Sequence, residues 1–152
     1  MEDLNLPKFD FSIRSKNNKL EIFDSFRKKY VVLTPEEWVR QHISRYLIEY
    51  KNVPIGLISL EKKIVMNGMT RRFDIVVYNR QGCPLLIVEC KAASVNITQD
   101  VFNQAARYNS VINADYMIIT NGLIHHACKL NFIDKTIHFL NEIPDFSEMN
   151  ID

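Results

Sequence analysis

Apolar residues recur at helical spacing between Pro35 and Tyr50: Trp38, Val39, His42, Ile43, Tyr46, Leu47 and Tyr50 fall in one stripe. Thr34-Pro35-Glu36-Glu37 opens that segment as a capping box, with Thr34 as N-cap, Pro35 at the first helical position and Glu37 reaching back. At about 100° per residue, Glu36 falls near the edge of the stripe while Glu37 points away from it. The period then changes. Residues 57–66 and 70–78 read as strands around Asn67-Gly68, a type I′ hairpin signal. A turn over residues 79–82 leads into residues 84–91, whose Leu-Leu-Ile-Val run is too apolar for an edge strand. A second helix is predicted over residues 97–111, with Val101, Ala105 and Tyr108 on its inner side. Residues 116–120 follow as a fully buried strand, and this strand–helix–strand order implies a right-handed parallel crossover. Residues 123–130 and 136–140 read as a closing hairpin. Ahead of the first helix, residues 9–13 alternate like a short strand and residues 20–26 carry a second apolar cluster.

These elements describe an α/β domain with a mixed β-sheet flanked by helices: helix, three-strand antiparallel meander, helix, parallel strand, C-terminal hairpin. No repeat or Pro/Gly/Ser linker interrupts them. The expected division is an N-terminal extension packing on the core (1–33), the domain proper (34–145) and a C-terminal tail (146–152). A chain of 152 residues can bury one core without staples. No apolar run approaches the roughly 20 residues of a membrane helix, so no membrane partner is expected. The first ten residues carry acids rather than a basic n-region, so no secretory signal is expected either. Cys83, Cys90 and Cys128 form no CxxC pair, which fits a reducing cytoplasm. Net charge is +1 but uneven: residues 1–91 hold 16 Lys/Arg against 11 Asp/Glu, and residues 92–152 hold 3 against 7. That asymmetry permits a basic face for a polyanion without demanding one.

Chemistry concentrates on two strands. Asp74 sits within Arg72-Phe73-Asp74-Ile75-Val76-Val77, and Glu89-Cys90-Lys91 ends the next strand. Residues two apart share a face, so Glu89 and Lys91 lie together while Cys90 packs opposite as a small hydrophobe. A tight turn would pair position 79 with 84, hence 74 with 89, setting the two acids about 5 Å apart. Like charges directly opposite repel unless something positive lies between them, and a divalent cation would serve. Hard oxygen ligands suit Mg²⁺, with Mn²⁺ as substitute. Lys91 beside them can orient water and stabilise charge on a phosphate. The bland alternative is that Asp74 and Glu89 merely pair with Arg72 and Lys91 on a solvated face. Arg72 shares a face with Asp74 and is a candidate phosphate contact. His125, His126 and Cys128 lack the spacing of a zinc site. GxxxxGK[ST], G-x-S-x-G and HExxH are absent, so neither an ATP site nor serine-hydrolase or zincin chemistry is expected.

Asp74, fourteen residues, then Glu89-x-Lys91 resembles the PD-(D/E)xK nuclease signature, with Phe73 where its proline would stand. More narrowly, the chain is similar to the N-terminal nuclease domain of type I restriction-enzyme R subunits. The residues that carry this are 33–41 (Leu-Thr-Pro-Glu-Glu-Trp-Val-Arg-Gln), Arg72-x-Asp74, Val88-Glu89-Cys90-Lys91, Gln104-x-x-x-Tyr108 and Thr120-Asn121-Gly122. The resemblance implies a restriction-endonuclease-like core, metal ligands at Asp74 and Glu89, a lysine at Lys91 acting on the attacking water, and a first-helix glutamate facing the metal. Glu36 fits that last place by its helical face, and Glu37 is its rival. It also implies that Gln104 and Tyr108 flank the site and touch nucleic acid, although Tyr108 as plain core is an equal reading. The expectation is thus a Mg²⁺-dependent DNA endonuclease of restriction or defence. No translocating motor is present in this chain, so a separate helicase or methyltransferase subunit is an expected partner. A homodimer would supply the second site for cutting both strands. The rival class is a catalytically weak module that binds nucleic acid or protein within a larger restriction or repair complex.

Overall fold

The computed structural model describes residues 1–151. Its elements are β1 (Ile13–Lys16), β2 (Lys19–Asp24), β3 (Lys29–Val32), α1 (Pro35–Tyr50), a short 3-10 turn (Ile55–Leu57), β4 (Ile58–Met66), β5 (Met69–Tyr78), β6 (Pro84–Cys90), α2 (Gln99–Ile112), β7 (Tyr116–Thr120), β8 (His125–Asn131), β9 (Thr136–Leu140) and α3 (Phe146–Met149). They form a three-stranded antiparallel sheet, β1-β2-β3, and a six-stranded mixed sheet, β4-β5-β6-β7-β8-β9. Within the larger sheet only β6 and β7 run parallel, and α2 makes the connection between them. The expected meander, crossover and closing hairpin are all present.

Each face of the large sheet has its own core. Val39, Ile43 and Leu47 of α1 pack on Ile75, Val77, Leu86, Val88, Cys90 and Ile118. On the other face Phe102 and Ala105 of α2 pack on Phe73, Val76, Ile87, Met117, Ile119 and Cys128. This explains the unbroken apolar run of β6, which is covered on both sides. Asn67 and Gly68 both adopt positive φ (52° and 74°), as a type I′ turn requires. Thr34 caps α1 by accepting the Glu37 N–H at 3.0 Å. The reciprocal half of the expected capping box is not made, because the Glu37 carboxylate is engaged by Arg40, Arg27 and Gln41.

The N-terminal segment departs most from its pattern. Residues 9–12 form no strand; β1 begins only at Ile13. Phe9 and Phe11 are anchors instead, their rings 6.0 and 4.8 Å from His42, with Phe11 5.5 Å from Trp38. The apolar stripe of α1 is therefore shared: Val39, Ile43 and Leu47 face the large sheet, Trp38 and His42 face this aromatic strap, and Tyr50 is largely exposed. Further upstream, the Asn5 N–H donates to the Gly122 carbonyl at 2.8 Å, and the Trp38 indole donates to the Glu2 carbonyl at 2.9 Å. His125 bridges the Thr120 hydroxyl and the Asn5 carbonyl, a structural role that leaves no zinc geometry. At the other end Phe146 and Met149 of α3 are buried in the α1-side core.

Candidate active site

The β5–β6 ladder ends at Ile75↔Val88. Beyond it β6 continues along β7 through Glu89 and Cys90, while β5 continues along β4. The strands fork, and Asp74 stands in the fork. Its Oδ2 accepts the Cys90 N–H at 2.7 Å, supplying by side chain the bond that a ladder partner would have made. Tyr78 rather than Asn79 pairs with Pro84, which makes the turn one residue longer than expected, and a bulge between Val77 and Tyr78 restores the offset. Continued in that register, 74 stands opposite 89, as the turn arithmetic required.

A backbone irregularity aims Asp74. Opposite it on β4, Glu61 has φ 53°, and the ladder skips from Leu60↔Ile75 to Lys62↔Phe73. Phe73 belongs to the α2-side core and Ile75 to the α1-side core, although alternation would put both on one face. The strand turns over at Asp74, which thereby joins a cavity of about 520 Å³ lined also by Thr34, Pro35, Glu36, Glu37, Arg40, Glu61 and Ala92. Four carboxylates and one guanidinium give this cavity an acidic wall. Glu89 and Lys91 adjoin Asp74 but do not line the cavity.

Burial makes the acids unusual. Burial is the largest cause that lifts Asp74, to about 6, against the opposing Cys90 N–H; the Glu36 carboxylate adds to the rise. Glu89 is pushed up to about 8, first by burial and then by the Asp74 charge, with Glu36 contributing and Lys91 opposing. Among the described residues no ion pair joins Asp74 or Glu89 to Arg72 or Lys91, so the solvated salt-bridge alternative is not what the fold builds. Glu89 Oε1 is buried and has no hydrogen-bond partner. An orphaned carboxylate oxygen beside a second acid is the donor chemistry a hard cation takes. Among the described residues no cluster of three or more His, Cys, Asp and Glu is arranged as a complete cage. Two carboxylates with an open remainder fit Mg²⁺, which retains waters and accepts substrate phosphate.

The two helix glutamates have separate surroundings. Glu36 is the one whose charge acts on both Asp74 and Glu89. Glu37, expected to point away from the core, is the more buried of the two because the small sheet covers that flank. It accepts from Arg40 Nε at 2.8 Å, Arg27 Nη2 at 3.1 Å and Gln41 Nε2 at 3.1 Å. Arg40 in turn donates to Asp24 Oδ2 at 2.8 Å, and Arg27 reaches Glu61 at 3.1 Å. This network of Asp24, Arg27, Glu37, Arg40 and Glu61 backs the cavity, and sequence reading did not find it. Its one signal was Arg40 beside Val39 in the first helix.

On α2, Gln104 Nε2 donates to the Tyr108 hydroxyl at 2.9 Å, confirming that the two share a face. Neither lines the cavity. The Arg71 guanidinium lies 5.5 Å from the Tyr108 ring centre. Arg72 is exposed and lies outside the cavity walls.

Fold and site together define a restriction-endonuclease-like α/β domain with paired acids and a lysine at the fork of its sheet. Residues 35–144 match the family described as Type I restriction enzyme R protein N terminus, and the chain belongs to that family. A solved fragment assigned as an HsdR subunit of a type I restriction enzyme from Vibrio vulnificus YJ016 is similar in fold, with TM-score 0.54 at 18% identity over 77% of this chain. The chain spans about a quarter (24%) of that protein's length. Comparison with curated proteins gives no match.

Proposed function

We propose that this protein is a divalent-metal-dependent endonuclease that hydrolyses phosphodiester bonds of DNA, in restriction or defence. The observation that carries the reading is the buried Glu89, one oxygen unpartnered, beside a buried Asp74 at the strand fork. Asp74 and Glu89 would hold Mg²⁺ or Mn²⁺, with Glu36 assisting from the start of α1. The cation, when bound, offsets the carboxylate repulsion and draws charge from the phosphoryl oxygens.

The chain's own groups do the rest. Lys91 leaves β6 beside Glu89, held at its backbone by the Thr120 carbonyl at 2.8 Å. Its ammonium orients water for in-line attack and meets the negative charge that develops on the phosphate. Glu37, fixed by Arg27 and Arg40, holds the first turn of α1 in place and so aims Glu36. Gln104, Tyr108 and Arg72 are the groups that position the nucleic acid around this centre. Family membership adds the restriction context, and a separate helicase or methyltransferase subunit is the partner it points to. A homodimer accounts for cutting of both strands.

The test is nicking of supercoiled plasmid in Mg²⁺ or Mn²⁺, with and without EDTA. The parent nicks only with metal. Asp74→Ala, Glu89→Ala and Lys91→Ala each lose the activity while keeping the far-UV CD spectrum of the parent. A variant that nicks as well as the parent removes its residue from the site, and activity unaffected by EDTA removes the metal.

A further inference from the structure

Beyond the fork, residues 62–73 form a two-stranded ribbon, because β5 pairs there with β4 alone. One face of the ribbon is occupied: Ile64 and Phe73 are buried against α2. The opposite face carries the directly paired Lys63 and Arg72 and, one step outward along each strand, Val65 and Thr70, all exposed. Lys62, also exposed, pairs with Phe73 and so stands on the α2 side at the rim of the ribbon. Between residues 62 and 73 the charged residues are Lys62, Lys63, Arg71 and Arg72, with no acid among them. Lys63 and Arg72 set like charges directly across a strand pair, which disfavours the bare hairpin. Among the described residues none of Lys62, Lys63 and Arg72 makes an ion pair.

Position gives this face its meaning. Arg72 is two residues from Asp74, so the cationic face continues from the acidic cavity along one strand. The ribbon runs on from Lys62 to the Asn67-Gly68 turn, roughly 17 Å at strand spacing. Val65 is 67% and Met69 54% exposed at its tip. A major groove about 12 Å wide admits a two-stranded ribbon, and cations beside it meet the flanking phosphates.

We propose that the bare face of the β4–β5 ribbon is the duplex-DNA docking surface of this domain, with Lys63 and Arg72 on that face, and Lys62 at its rim, on phosphates and the tip directed at the groove. The inference rests on the nuclease reading for its placement beside the reacting centre, but it is tested by binding alone. Full-length protein is titrated with a fluorescein-labelled 30-base-pair duplex in EDTA at several salt concentrations. The parent is compared with a triple variant, Lys62→Gln, Lys63→Gln and Arg72→Gln. A matched control carries Lys16→Gln, Lys19→Gln and Lys28→Gln on the small sheet.

Loss of three phosphate contacts lowers the slope of log affinity against log salt by about 3, at roughly 0.9 per contact. The control, with the same net charge, keeps the parent slope. A ribbon variant with the parent slope, a control that loses as much, tighter binding to the single strand than to the duplex, or no duplex binding by the parent at low salt would each overturn the proposal. Failure of the nuclease reading looks different: ribbon-dependent binding persists while the parent nicks nothing.

Discussion

Replacing Glu89 by Gln removes one of two acids that the fold buries together, and the metal-free protein should become more stable for it. Glu89 ordinarily titrates at 4.5 but is held at about 8 in the native chain. Between those values the unfolded chain has released its proton while the native chain still holds it. Stability therefore falls as pH rises from 4.5 and stops falling near 8, by about 1.4 kcal/mol for each pH unit. At pH 7 the accumulated loss is about 3 kcal/mol, and at pH 5 it is under about 1 kcal/mol. A neutral amide of the same shape carries no such loss.

For a chain of this size 1 kcal/mol is worth roughly 2–4 °C of melting temperature. Glu89→Gln should then melt roughly 6–12 °C above the parent at pH 7 and no more than about 3 °C above it at pH 5. The assay is thermal unfolding followed by CD in EDTA at pH 5, 6, 7 and 8. Metal works in the opposite sense. At ten times its dissociation constant Mn²⁺ stabilises the parent by about 1.4 kcal/mol and leaves the variant nearly unmoved, so the gap narrows. A gap that does not change with pH, or a variant that melts below the parent at pH 7, would refute the reasoning that burial and the Asp74 charge govern Glu89.

The remaining predictions concern the supports of the site. Glu36→Gln should depress plasmid nicking while leaving the urea midpoint within error, because Glu36 is exposed and acts through its charge. Glu37→Gln should lower stability by about 3 kcal/mol in the same urea titration, since it strips a buried Arg40 of its nearest counter-charge; equal stability of the two variants would undo the distinction. Gly122→Ala should cost about 1–3 kcal/mol. Gly122 has φ +85°, and an added Cβ would sit 2.7 Å from Leu4 Cδ2 and 3.1 Å from Val39 Cγ2. Leu4 could swing aside, but Val39 and the backbone conformation could not, so trimming Leu4 to Ala should recover only part of the loss in denaturant midpoint.

The sequence spoke most clearly where signals were local. Thr34 and Pro35 mark the start of α1, Asn67-Gly68 marks the hairpin, and the doubly buried β6 announces itself by composition. The Asp74–Glu89 pairing was legible for a less secure reason. The actual turn is one residue longer than expected, and a bulge cancels the difference before the acids are reached. The small N-terminal sheet was illegible because β1 is exposed along its whole length and so has no apolar alternation to read. Phe9 and Phe11 supplied a false alternation, being spaced to meet Trp38 and His42 rather than to form a strand. Nor could pattern reveal that Arg40 is 3% exposed. Its burial depends on Asp24 and Glu37, and the Asp24 contact crosses sixteen residues of chain. The left-handed Glu61 that turns Asp74 toward the cavity left no signal at all, since glutamate is not a residue that favours that conformation.

The N-terminal strap has a consequence for synthesis. Asn5 lies 118 residues ahead of Leu123, whose carbonyl its side chain contacts, and its backbone bonds to Gly122 and His125. At about 5–20 residues per second a ribosome takes roughly 6–24 s to produce the docking site after the strap has been made. Through that interval Leu4, Leu6, Phe9 and Phe11 have only part of their eventual surroundings. The strap, translated well before its docking site, is thus among the last segments to find its place, and a nascent chain stalled before β8 would present this apolar segment to chaperones.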